Sequence, residues 1–148
     1  MSTDESTTKD LIETLRDGEK GFAQAAEKLA STDRADLAPK FQQYSEQRAR
    51  FAGELEQMAA RYGDDIDESG SVAAAMHRGW MSLKDAMTGS SASGVLDAAE
   101  EGEDHAVNEY EKALEADISP ELRAVVSRQF ADVKRTHDDV RSLRDTVS

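Results

Sequence analysis

Apolar residues recur at helical spacing in four long segments of this chain, and polar stretches separate these segments. The segments cover residues 10–30, 36–63, 95–115 and 119–148, with ends set by turn residues and caps. Their stripes begin, in chain order, with Ile12, Leu15 and Phe22; Leu37, Phe41 and Tyr44; Leu96, Ala99 and Ala106; and Leu122, Val126 and Val133. This periodicity predicts four amphipathic helices that pack as an all-α four-helix bundle.

A shorter apolar stripe lies between the second and third segments. Met76 and Trp80 share one face of it, Ser71 is placed to cap its start and Gly89 to end it. We therefore expect a short extra helix on the crossover between helices 2 and 3. A link of roughly 30 residues is long enough to cross the length of a bundle, as ferritin-like folds require.

The starts of the first and fourth helices carry recognisable signals. Residues 1–9 are polar and rich in Ser and Thr, which predicts a disordered tail with Thr7 or Thr8 as the helix cap. Ser119 followed by Pro120 is a typical helix N-terminus. The expected organisation is a tail over residues 1–9 and one domain over residues 10–148.

Composition narrows the classes of function. The formal net charge is -13, which repels phosphate backbones, so we expect no binding to nucleic acid. The chain has no Cys, which excludes disulfides, thiolate catalysis and Cys-based metal sites. No apolar run approaches the roughly 20 residues that span a bilayer, so we expect no membrane partner and a cytoplasmic location.

The first and third helices share a motif that indicates an internal duplication. When Gly18 is placed over Gly102, Glu19 falls over Glu103, and both carboxylates lie on the stripe that faces the core. Two related helical hairpins are therefore predicted, each with one Glu in the centre of the bundle.

Five segments also resemble a known family. LIETLRDGEKGF, FQQYSEQRARFAGEL, SVAAAMHRGWMSLK, EEGEDHAVNEYEKALE and ADVKRTHDDVRSLRD together resemble a bacterial family of ferritin-like four-helix-bundle proteins of unknown function. The HRGW segment and the paired GE motifs carry most of the similarity. The resemblance implies a ferritin-like fold and no established activity, with an association with stress by analogy alone.

Di-iron members of the wider ferritin-like group use single Glu ligands from two helices and a Glu-x-x-His motif from each of the other two. Glu19 and Glu103 match the single carboxylates. The residues three positions after Glu46 and Asp132 are Ala and Arg, so both His ligands are missing. The resemblance therefore extends to half of a metal site.

Two hypotheses follow for the buried carboxylates. In the first, Arg48 on the helix 2 stripe bridges Glu19 and Glu103 in a buried ion network, and no cofactor is bound. In the second, Glu19, Glu103 and His137 hold iron, as a di-iron site, or manganese, and the protein is an oxidoreductase or an iron-handling protein. Because no catalytic triad, phosphate loop or HExxH element is present, we favour a non-enzymatic role.

The other histidines and the apolar residues of the crossover helix are interpreted as surface or interface residues. His105 is expected on the solvated surface, pointing away from the core. Met76, His77 and Trp80 on the crossover helix form a candidate interface for a second copy or another protein. A homo-oligomer is the partner that this interpretation proposes.

Overall fold

The computed structural model describes residues 3–60 and 92–147, and this part of the chain is built from helices without a strand. Its four α-helices are α1 (Thr3–Leu29), α2 (Ala38–Ala59), α3 (Ala92–Glu115) and α4 (Pro120–Val147), and a short 3-10 helix (Ala35–Leu37) precedes α2. The all-α, four-helix prediction is confirmed. The predicted crossover helix and its residues Met76, His77 and Trp80 lie outside the described residues.

Each of the four helices packs against two neighbours. α1 contacts α2 and α3, and α4 contacts α3 and α2. Gln129 bonds Glu54 near one end of the α2–α4 interface, and Tyr44 bonds Asp139 near the other, so these two helices are antiparallel. α1 is likewise antiparallel to both of its neighbours. Consequently α2 and α3 lie diagonally opposite each other and run in the same direction.

The apolar core consists of two clusters stacked along the bundle axis. One is built around Leu15, Leu55 and Tyr110, and the other around Phe22, Phe41 and Leu96. All six of these side chains are fully buried. The two clusters meet at a polar level in the middle of the bundle, and this level contains the candidate site.

The start of α1 differs from the predicted disordered tail. The helix begins at Thr3, and the backbone N–H of Ser119 donates a 2.9 Å hydrogen bond to Asp4 Oδ1. Thr7 and Thr8 lie inside the helix and are buried. Packing of the first turns against the α3–α4 connection stabilises a helix that local composition did not indicate.

The α3–α4 connection is held by side chains at both helix ends. Ser119 Oγ accepts a 3.2 Å hydrogen bond from the Leu122 N–H, as the cap prediction requires. Arg123 donates to the carbonyl oxygens of Leu114 and Ala116, at 2.6 and 3.0 Å. These bonds satisfy backbone groups that a helix terminus leaves without an intrahelical partner.

The first prediction concerns this cap. We expect Ser119→Ala to lower the free energy of unfolding by about 1 kcal/mol, because the Leu122 N–H loses its acceptor. Urea denaturation measures the change, and Ser127→Ala, on the exposed face of α4, serves as the matched control. Equal midpoints for the two variants would contradict the assigned cap.

None of the described helices has the length and apolar character needed to cross a membrane.

Candidate functional site: a buried ion pair at the centre of the bundle

Four residues, one from each helix, form the polar level between the two apolar clusters. They are Gly18 of α1, Arg48 of α2, Glu103 of α3 and Thr136 of α4, and all four are buried. Each lies about one helical turn from apolar residues of the clusters above and below it. The stripe that forms the core therefore also places these four residues at the centre.

Arg48 and Glu103 form an ion pair across the diagonal of the bundle. Arg48 Nη2 donates a 2.7 Å hydrogen bond to Glu103 Oε2, and the exposure of both side chains is 0%. The guanidinium carbon of Arg48 also lies 5.2 Å from the centre of the Phe22 ring, at a cation–π distance. The structure thus brings together two of the three residues of the predicted network.

A neighbouring polar side chain, Gln47, accepts hydrogen bonds beside the pair. Arg48 Nε donates a long hydrogen bond of 3.4 Å to Gln47 Oε1, and Thr136 donates to the same oxygen at 3.3 Å. Arg48 Nη1 and Glu103 Oε1 are buried without a hydrogen-bond partner among residues 3–60 and 92–147. One terminal nitrogen of Arg48 and one carboxylate oxygen of Glu103 therefore contribute no hydrogen bond to the pair.

Gly18 lies against the side chain of Arg48. A Cβ atom at this position would lie 3.5 Å from Arg48 Nη1 and 3.6 Å from Arg48 Cγ. A methyl group would thus touch the arginine along its length, and a longer side chain would displace it. The glycine of the DGE motif lies against the arginine, although its neighbour Glu19 was the residue predicted to do so.

Glu19 does not join the buried network. Its side chain is 33% exposed and accepts a 2.9 Å hydrogen bond from Arg16, which also bonds Glu56 at 2.6 Å. The position one residue after Gly18 is rotated away from the bundle axis, toward the outer edge of the α1–α2 interface. The predicted three-residue network is corrected to a two-residue pair.

His137 lies beside the site, on the outer side of the α3–α4 interface. Its Nε2 is 2.6 Å from Asp104 Oδ1 and its Nδ1 is 3.3 Å from Asp138 Oδ1, with 14% of the side chain exposed. Burial opposes the charged form, but the two carboxylates outweigh it and raise the pKa of His137. An imidazolium can donate to both carboxylates at once.

The metal hypothesis required Glu19, Glu103 and His137 to converge. Glu19 bonds Arg16, Glu103 bonds Arg48 and His137 bonds Asp104, so the three side chains have separate partners. Among the residues that the structure describes, no group of three or more His, Asp or Glu side chains is close enough to hold a metal ion. The charge of Arg48 also disfavours a divalent cation beside Glu103.

The buried surroundings of Glu103 disfavour its negative charge. Burial raises the pKa of Glu103, while the Arg48 guanidinium and the more distant His137 act to lower it. A buried carboxylate is stable as an anion only beside such a partner. The two charges therefore depend on each other. Removal of either side chain leaves the other as a buried charge without a partner.

A family model describes this chain over most of its length. The model of a domain of unknown function, DUF2383, matches residues 5–116, which run from the first turn of α1 to the end of α3. The chain belongs to the DUF2383 family. No curated protein matches it.

Sequence reasoning missed a second polar layer in this DUF2383 bundle. Tyr110 donates a 2.7 Å hydrogen bond to Gln129, whose amide donates to Glu54 at 2.8 Å. Burial raises the pKa of Tyr110, which keeps the phenol neutral as a donor. Gln129 was visible in the sequence as a polar interruption of the α4 stripe, and that interruption was the available signal.

Three further buried or half-buried acid–base groups were also missed. Glu13 and Asp17 of α1 are each only 5% exposed, although they lie off the predicted stripe. His105 is half-buried rather than solvated, and its Nε2 is buried without a hydrogen bond in the described part of the chain. Helical periodicity read from one helix cannot reveal such contacts, because they depend on which neighbours cover the helix.

The ion pair predicts strong energetic coupling. We expect Arg48→Met and Glu103→Leu each to lower the stability of the DUF2383 chain by about 3–5 kcal/mol, because each leaves a buried charge unpaired. The double variant should lie much closer to wild type than the sum of the two losses. Urea unfolding of the four proteins gives the coupling energy.

The exposed pair Arg34–Asp36 provides the control cycle, because its members are 35% and 62% exposed. Its double variant should show little coupling. Additive losses at Arg48 and Glu103 would contradict the paired-charge interpretation.

His137 predicts a pH dependence of stability. Because its folded-state pKa lies above the ordinary 6.5, its stabilisation is fully present below pH 6.5 and is lost as the pH rises through the folded value. We expect the stability difference between wild type and His137→Gln to shrink between pH 6 and pH 9. His105→Gln is the control. A difference that stays constant or grows over this range would refute the assignment.

Proposed function

We propose that this DUF2383 chain is a non-enzymatic helical-bundle protein of the ferritin-like type, in which a buried ion pair takes the place of a di-metal centre. The observation that carries the proposal is the fully buried Arg48–Glu103 pair at the middle of the bundle. Ferritin-like di-metal proteins hold their metals with inward-pointing side chains in the bundle core, and in this chain a guanidinium points into the core.

The helix directions support the ferritin-like part of this proposal. α2 and α3 run in the same direction. This arrangement is that of ferritin-like folds, whereas short loops give an up-down-up-down order. The resemblance of the paired GE motifs, at Gly18 and Gly102, points to the same fold class.

The side chains around Glu103 support the non-metal part. Two of the residues that a metal would require, Glu19 and His137, are bonded elsewhere, and the carboxylate of Glu103 already has a cationic partner. A divalent ion at this level would have to displace or approach Arg48 closely, at a high electrostatic cost in a buried site. An association with stress responses is part of the proposal by analogy with ferritin-like proteins alone.

Metal analysis tests the proposal. The protein should be purified after growth with added iron and manganese, and its bound metal measured by mass spectrometry. We expect no stoichiometric iron or manganese in wild type, and no change in Glu103→Gln. Glu101→Gln, at an exposed position two residues away on α3, is the control for non-specific binding to this acidic chain.

Stoichiometric metal that Glu103→Gln removes and Glu101→Gln retains would overturn the proposal. That result would instead support the metal-dependent alternative, a di-iron or manganese protein.

A further inference from the structure

The outer surface of the α3–α4 hairpin carries an apolar patch. Its residues are Val107 and Leu114 of α3 and Phe130 of α4, which pack against the core but remain only partly buried. The Phe130 ring stacks on the buried Tyr110 ring, with 6.1 Å between the ring centres. Because Phe130 is already ordered by this stacking, little conformational entropy is lost when a partner covers it.

The patch has a shape that one further helix surface fits. Val107 and Leu114 lie two turns apart on the same face of α3, and residues 107, 110, 111 and 114 frame a hole of the kind that receives a side chain from a facing helix. Phe130 lies at the height of Tyr110, halfway between the two. A second α4 at the same height therefore presents its phenylalanine to this hole.

The two sides of the patch carry opposite charges. Glu111 lies between Val107 and Leu114 along α3, and Lys134 lies one turn after Phe130 on α4. Both charged side chains are exposed, and neither forms an ion pair with another residue of the ranges 3–60 and 92–147. The apolar centre is thus flanked by a free anion on one helix and a free cation on the other.

We propose that this patch is the interface of a symmetric dimer, in which α3 and α4 of two copies form an antiparallel four-helix assembly. The two-fold axis runs along the helices, so α3 of each copy lies over α4 of the other. Phe130 of each copy enters the hole between Val107 and Leu114 of the second copy. Glu111 and Lys134 form an ion pair between the copies.

Symmetry and charge select a second copy as the occupant. A two-fold interface must be complementary to itself, and an apolar centre with one acidic and one basic side meets this requirement. A two-fold axis perpendicular to the helices would instead place α3 over α3, where Glu111 and the exposed Glu115 of both copies would repel. The axis along the helices avoids this repulsion.

The heights of the charged residues are compatible with this arrangement. Lys134 lies about 6 Å along the bundle axis from Glu111, since a helix rises about 1.5 Å per residue. Lysine and glutamate side chains together span this offset. The interface is independent of the proposed function, because Arg48 and Glu103 lie inside each bundle.

Sedimentation equilibrium of the full chain tests the proposal, in about 0.15 M salt to screen the repulsion between acidic copies. We expect a monomer–dimer equilibrium with a Kd on the order of 100 µM, because the patch is small for a protein interface. A chain that remains monomeric at about 1 mM would overturn the proposal. Species larger than a dimer would also overturn it, because they indicate a head-to-tail contact.

Charge reversals locate the interface. Glu111→Lys and Lys134→Glu should each weaken dimerisation at least about tenfold, because like charges then meet at both contacts. An equimolar mixture of the two variants should dimerise about as tightly as wild type, since opposite charges meet again. Unchanged dimerisation in either single variant, or no recovery in the mixture, would overturn the proposal.

Glu46→Lys and Lys40→Glu are the matched controls, because both residues are exposed on α2 and the changes in charge are the same. Their dimerisation should stay within about twofold of wild type, since the general effect of one reversed surface charge is small. A loss equal to that of the interface variants would show an effect of net charge alone and would overturn the assigned interface. Urea unfolding establishes that each variant is folded before its association is compared.

Discussion

The central constraint in this bundle is a guanidinium and a carboxylate that face each other with no access to water. Transferring each of two such groups from solvent costs several kcal/mol, and only a close partner offsets that cost. Arg48 and Glu103 come from helices that lie diagonally opposite, so their 2.7 Å contact fixes the distance and the relative height of α2 and α3. The pair lies between the two apolar clusters, so its contact and the packing of both clusters occur in the same helix register.

Such a pair contributes more to the choice of structure than to the net free energy of folding. A well-packed apolar pair of similar volume is often as stable, because it carries no desolvation cost. An axial slip of α2 against α3, however, would leave two buried charges apart, whereas a slip in an all-leucine core costs much less. Apolar stripes on four helices allow several registers. Because a slip costs more when it separates the two charges, our hypothesis is that the ion pair selects one register.

The sequence was sufficient for the four helices and most of their buried faces. Regular apolar spacing and the Ser119–Pro120 cap define the helices locally, and Arg48 was recognised because a cation interrupted a regular stripe. The start of α1 was missed, since residues 3–9 are helical through contacts with the α3–α4 connection. The contact of Tyr110 with Gln129 was missed for the same reason, because it depends on two helices in a known register and one sequence gives only the face of each helix.

Glu19 shows how charge balance limits the similarity of the two halves. The paired GE motifs suggested that both carboxylates reach the centre, but one guanidinium neutralises one carboxylate, and a second buried anion would leave a net negative charge in the core. In α3 the Glu of the motif faces inward and bonds Arg48. In α1 the preceding residue, Gly18, faces inward instead, and Glu19 bonds Arg16 at the partly exposed edge. A shift of one residue thus places a glycine, and not a second charge, beside the arginine.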